Sequence, residues 1–123
     1  MSDALTIGVR SERDRAIATV AGEIDIFTAT RLRERLSGLA ASSRHLVIDL
    51  DHVTFIDSAG LSALVGTANR AAAHGTSVHM VCTRPKILKV FRLTGLDRRL
   101  PPAPTVEEVL AAPDRSLADK PPR

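Results

Sequence analysis

The spacing of apolar residues along the chain changes several times, and each change marks an element. Leu5, Ile7 and Val9 alternate with Thr6 and Gly8, the period-two pattern of a strand with one buried face. The charged stretch 10–15 predicts a turn. Ala16 to Ala21 forms a second apolar run that Gly22 breaks, close enough to the first strand for a hairpin. From Thr28 to Ala40 the period becomes helical. Leu32, Leu36 and Leu39 fall at i, i+4 and i+7 on one stripe, with Thr28 as N-cap. Leu46 to Leu50 is nearly continuous in apolar residues, as a central strand is, before Asp51-His52 breaks the pattern. Val53 to Ile56 then leads to Asp57-Ser58. A second helix is predicted from Ala59 to His74, with Leu61, Leu64, Val65, Ala68 and Ala72 on one side and Gly75 as its left-handed end.

Beyond this point Val78 to Cys82 makes a fourth strand. Pro85 opens a third helix at a first-turn position, where a missing N–H costs nothing, and Gly95 ends it, with Leu96 placed for a closing contact. Pro101 to Pro104 makes a poor strand for want of donors. Thr105-Val106-Glu107-Glu108 reads as a capping box before a short last helix to about Ala112. The order β-β-α-β-α-β-α-(β)-α predicts a single α/β domain over residues 1–112. Its sheet is mixed, four- to five-stranded, with about four helices, followed by a flexible tail at 113–123.

Composition narrows the function. A chain of 123 residues suits one domain with one real core. It carries three Phe and neither Trp nor Tyr, so it lacks the stacking platforms of a single-strand nucleic-acid binder. Of 17 basic residues 14 are Arg, and the net charge is +3. The basic residues interleave with Asp and Glu, as in residues 10–15 and 31–35. That is the pattern of a solvated mixed-charge surface, with a nucleic-acid patch as the competing reading. Cys82 is the one cysteine, so no intramolecular disulfide forms. No leader pattern opens the chain, and no apolar run approaches the roughly 20 residues that span a bilayer. The expectation is a soluble, cytoplasmic protein.

Catalytic patterns are weak. His45, His52, His74 and His79 have no metal-ligand spacing and no cysteine pair beside them. Neither phosphate-binding glycine pattern occurs. Ile56-Asp57-Ser58-Ala59-Gly60 lacks the first glycine of a Gly-x-Ser-x-Gly hydrolase elbow. The acidic pairs Asp49/Asp51 and Glu107/Glu108 bracket a strand end and open a helix. The chemistry-bearing stretch is residues 47–61, a buried strand, a short connection and a serine at a helix start. Ser58 suits an N-cap, and the same place suits an anion, with free N–H groups and the positive end of the helix dipole. Taken alone, these residues leave two readings open: a structural cap, or a phosphorylation site.

Phe55-Ile56-Asp57-Ser58-Ala59-Gly60-Leu61 resembles the (Y/F)-(M/I)-D-S-(S/T)-G-L signature of STAS-domain anti-sigma-factor antagonists. Ala21-Gly22-Glu23-Ile24-Asp25 is similar to their G-E-(I/L)-D turn, and Phe91 to Leu96 to their L-F-x-x-(S/T)-G-L segment. The three lie in order over roughly residues 5–112. The resemblance implies a binding module rather than an enzyme. Its partner is an anti-sigma factor that is also a serine kinase, and binding releases the sigma factor. Ser58 matches the serine whose phosphorylation switches the antagonist off, and a PP2C-type phosphatase restores it. ATP belongs to the kinase, so this chain needs no cofactor. Asp25 matches the exposed acidic residue that faces the kinase, and Asp57, Ala59, Gly60 and Leu61 belong to the docking surface around Ser58. No direct contact with nucleic acid or membrane is implied, and the protein is expected as a monomer or weak dimer. Ala59 departs from the family's Ser or Thr, leaving one hydroxyl in the motif. A STAS scaffold or regulator in another signalling complex remains an alternative. A serine or nucleotide hydrolase is a further one, with no base in a recognised pattern near Ser58.

Overall fold

A tight turn begins the fold. Arg13 and Asp14 stand at φ 53° and 64°, and they join β1 (Leu5–Glu12) to β2 (Arg15–Ile24) with Glu12 paired to Arg15. The turn is shorter than the charged run 10–15 suggested. β1 is an edge strand, so Arg10 and Glu12 keep their charges in water without interrupting the pairing. The computed structural model describes residues 4–112. The tail expected over 113–123 lies outside the described residues.

The remaining strands are β3 (His45–Ile56), β4 (Ser77–Val81) and β5 (Pro102–Ala103). The sheet order is β1-β2-β3-β4-β5; the first pair is antiparallel and the others are parallel. Helices α1 (Ala29–Ser42) and α2 (Ser58–His74) make the first two crossovers. Helices α3 (Pro85–Thr94) and α4 (Leu96–Arg99) make the third, and α5 (Val106–Ala111) follows β5. One face of the sheet holds the main core, where Ile48, Leu50 and Met80 meet Leu32, Leu36, Leu64 and Phe91. The other face carries a smaller cluster in which Ile17, Val47 and Val81 are covered by Val106, Val109 and Leu110 of α5.

Several expectations about element ends hold. Gly75 and Gly95 take left-handed φ values of 71° and 80°, Pro85 occupies the first turn of α3, and Thr105 accepts from the Glu108 amide at 3.0 Å. β5 is two residues long, as its prolines dictate. Others need correction. Gly22 does not end β2: at φ 108° it sits opposite Leu5, where a Cβ would lie 2.0 Å from the Ala4 carbonyl oxygen. The glycine is required by that close approach. Asp51-His52 does not break β3 either. Pairing with β2 passes from Thr19↔Asp49 to Ala21↔His52, so Leu50 and Asp51 are taken up in a bulge and His52 is back in register, and the Asp49 carboxylate accepts the Asp51 amide at 3.1 Å. A second bulge follows at Thr54, between Gly22↔Val53 and Glu23↔Phe55. The described residues hold five helices, in keeping with the about four expected, the short α4 being opened by Leu96, which is buried there.

Among the described residues no helix is long and apolar enough to cross a membrane. The core assignment makes a direct prediction. Phe91 is fully buried and Leu93, two residues on, is 73% exposed. In urea unfolding, Phe91→Ala should lose about 3–5 kcal/mol. Leu93→Ala should change stability by no more than about 0.5 kcal/mol.

Candidate functional site

β2 and β3 end side by side, with Ile24 paired to Ile56. The residues that follow, Asp25 and Asp57, therefore leave the sheet together at the carboxyl ends of neighbouring strands, where open α/β sheets place their binding sites. The Asp57 amide donates to the Ile24 carbonyl at 3.2 Å, extending the ladder one step into the loops.

The N-cap of α2 is Asp57 and not Ser58. Asp57 is extended, its Oδ1 accepts the Gly60 amide at 3.1 Å, and its carbonyl accepts from Leu61 at 3.0 Å. Ser58 is the first residue inside the helix. A carboxylate is as good a cap as a hydroxyl, so the aspartate takes the capping work and leaves the serine without it. Ser58 is exposed, and its hydroxyl holds no hydrogen bond to another described residue. With the Gly60 and Leu61 amides taken, the amides of Ser58 and Ala59 are the first-turn donors without an intrahelical acceptor. The hydroxyl thus stands at the positive end of a 17-residue helix, beside one carboxylate.

Gly60 brings the helix start close to the sheet. A Cβ there would lie 2.7 Å from side-chain carbons of both Ile24 and Ile56, and 2.9 Å from the Ile24 carbonyl oxygen. Only a glycine lets α2 begin against the paired ends of β2 and β3. Ala59 and Leu61 are half-buried and pack on the main core. Leu61 also lines a shallow depression of about 190 Å³ with Val65, Gly95 and Leu96. The Phe91–Leu96 segment, remote in sequence, is thereby brought beside α2.

Asp25 departs from the exposed position expected of it. It is half-buried, and its Oδ1 accepts from the amides of Phe27 at 2.9 Å and Thr28 at 3.1 Å. Thr28 returns the interaction, its Oγ1 accepting from the Asp25 amide at 2.9 Å while donating to the Glu23 carbonyl. Thr28 therefore does not cap α1 with its side chain as expected; Asp25 and Thr28 form a reciprocal box one turn earlier. This locked loop holds Ile26 and Phe27 out in solvent, 70% and 89% exposed, and Phe55 at the end of β3 is 48% exposed. Ile26 and Phe27 were not singled out by the sequence patterns, whereas Phe55 opens the motif that ends at Leu61. The signal was present: two large apolar residues directly after Asp25, at a loop tip where polar residues are the norm.

Other reactive groups are engaged elsewhere. Cys82 is buried, and that burial pushes its thiol pKa up, away from a nucleophilic thiolate. His45 Nδ1 lies 2.7 Å from the Ser77 hydroxyl. Among the described residues no group of three His, Cys, Asp or Glu is placed to hold a metal ion.

Two substitutions test this geometry. Gly60→Ala should destabilise by about 1–3 kcal/mol through overpacking, although alanine is the better helix former by about 1 kcal/mol. Asp57→Ala should cost about 1 kcal/mol, the worth of a cap, whereas Ser58→Ala should be close to neutral in chemical unfolding.

Comparisons with known proteins identify the family. Residues 8–109 match the STAS domain family. The anti-sigma-B factor antagonist of Bacillus subtilis is 33% identical over 92 residues, covering 75% of this chain and 84% of that protein. The crystal structure of an anti-sigma factor antagonist from Mycobacterium paratuberculosis superposes with a TM-score of 0.79 at 33% identity, covering 86% of this chain and 91% of that one. The Bacillus cell fate determinant SpoIIAA in its phosphorylated form shares the fold, with a TM-score of 0.66 at 20% identity over 85% of this chain and 96% of that one. The chain belongs to the STAS-domain family of anti-sigma-factor antagonists.

Proposed function

We propose that this protein is a cytoplasmic regulatory module that binds an anti-sigma factor with serine-kinase activity, releases its sigma factor, and is switched off by phosphorylation of Ser58. The observation that carries the reading is the exposed Ser58 hydroxyl, freed from capping by Asp57, with the two unclaimed amides of Ser58 and Ala59 beside it. A kinase needs a reachable hydroxyl. A helix N-terminus tolerates the phosphate that results. The names of the relatives support an antagonist role, and the phosphorylated form of SpoIIAA supports phosphorylation as part of it.

The switch works through local charge. A phosphate on Ser58 adds about −1.5 to −2 charges next to Asp57. Ile26 and Phe27 lie on the same edge of the sheet and suit an apolar anchor on the partner. A dianion at the rim of such a contact must be desolvated for docking to occur. Docking is thereby lost without any change of fold. The chemistry of transfer, with ATP, belongs to the kinase, and a PP2C-type phosphatase reverses it. This chain supplies the acceptor and the surface and performs no catalysis of its own.

Intact-mass analysis tests the assignment. Incubated with ATP and its anti-sigma kinase, the protein should gain one phosphate, and Ser58→Ala should gain none. A phosphate gained by Ser58→Ala would place the switch elsewhere. In a binding assay with the same partner, Phe27→Ala should weaken affinity by at least about tenfold, as removal of an exposed aromatic anchor does. Its unfolding midpoint should stay at the wild-type value.

A further inference from the structure

β3 is longer than the strand beside it. β2 pairs with it as far as Ile56, whereas pairing with β4 stops at Asp49↔Val81. Residues 50–56 therefore have no strand on the β4 side. The chain after β4 swings away, and contacts cross the gap at Asp51. Its carboxylate accepts from the Thr83 amide at 2.6 Å and from the Thr83 hydroxyl, and its carbonyl accepts from Arg84 Nη1 at 3.4 Å. Beyond Asp51 the edge opens into a groove of about 860 Å³ between His52 and Thr54 on one side and Thr83, Arg84 and Lys86 on the other.

The groove is lined by two cations, Arg84 and Lys86, against one carboxylate, Asp51. The Asp51 carboxylate is occupied by Thr83. Arg84 and Lys86 are exposed, and among the described residues neither has a carboxylate within salt-bridge distance; Arg10–Glu12 is the ion pair found there. The N-terminus of α3 faces the same space. Arg84, its N-cap residue, makes no side-chain cap, Pro85 has no N–H, and Leu88 is the first amide to bond back. The amides of Lys86 and Ile87 are thus left as donors at the positive end of the helix. Two independent features coincide: a strand edge without a partner, and a cationic wall along it. The cations repel a second copy of the same edge, which removes self-pairing and leaves an acidic strand as the complement.

We propose that this groove takes an extended acidic segment of a partner protein, laid as an added strand along β3 at residues 52–55. Main-chain hydrogen bonds to the free edge give the affinity, and carboxylates directed at Arg84, Lys86 and the start of α3 give the selectivity. The edge runs through Phe55 and ends at Asp57-Ser58, so the added strand continues the surface that surrounds the switch.

Amide shifts of the labelled protein, read by NMR during titration with ten-residue peptides, test the proposal. A peptide in which Glu alternates with Val should shift the amides of His52, Val53 and Thr54 and slow their hydrogen exchange. Affinity should fall at least about tenfold in the Arg84→Glu/Lys86→Glu variant, whose two positions are exposed. Three results would overturn the proposal: no binding, equal binding of a Lys–Val peptide, or shifts confined to Lys86 and Ile87 that inorganic phosphate alone reproduces.

Discussion

The close contact of Gly60 with Ile24 and Ile56 is the constraint on which the site depends. It seats the first turn of α2 directly on the paired ends of β2 and β3. Seated there, the helix needs a cap that reaches it from the end of β3, and Asp57 is the residue in that place. With the cap supplied by a carboxylate, the next side chain is released. Ser58 is exposed because Asp57 is occupied. A larger residue at position 60 would lift the helix start and disturb cap and serine together.

The same economy shapes the neighbouring loop. Asp25 and Thr28 satisfy each other and the first amides of the turn, so a short loop is held in one conformation. A rigid loop is able to keep Ile26 and Phe27 in water, where a flexible one would fold them inward. Two adjoining strands thus deliver, just beyond the last pair of their ladder, Ile24↔Ile56, two exposed apolar side chains and an exposed hydroxyl. In the proposed function the anchor gives binding and the hydroxyl controls it.

Much of this was legible in the sequence, for reasons that differ by element. The amphipathic helices and the apolar runs of β2 and β3 follow from burial, which sequence period records directly. Gly75, Gly95, Pro85 and Thr105 mark helix ends because each is demanded by local backbone geometry. What the sequence hid were the places where a neighbour decides. Gly22 looks like a breaker until Ala4 is seen against it, and Asp51-His52 looks like an interruption until β2 shows the bulge that absorbs it. The cap was misplaced by one residue because Asp57 and Ser58 are both good caps, and only the approach of Gly60 to the sheet decides between them. Asp25 seemed exposed because its reciprocal bonds with Thr28 run through backbone amides that no motif displays.

The most direct test is the affinity of the anti-sigma factor for this protein before and after stoichiometric phosphorylation at Ser58, both forms being checked for an unchanged fold by circular dichroism. The account predicts that the phosphorylated form binds at least about 100-fold more weakly, since a dianion must be desolvated at the docking surface. Equal affinity of the two folded forms would contradict it.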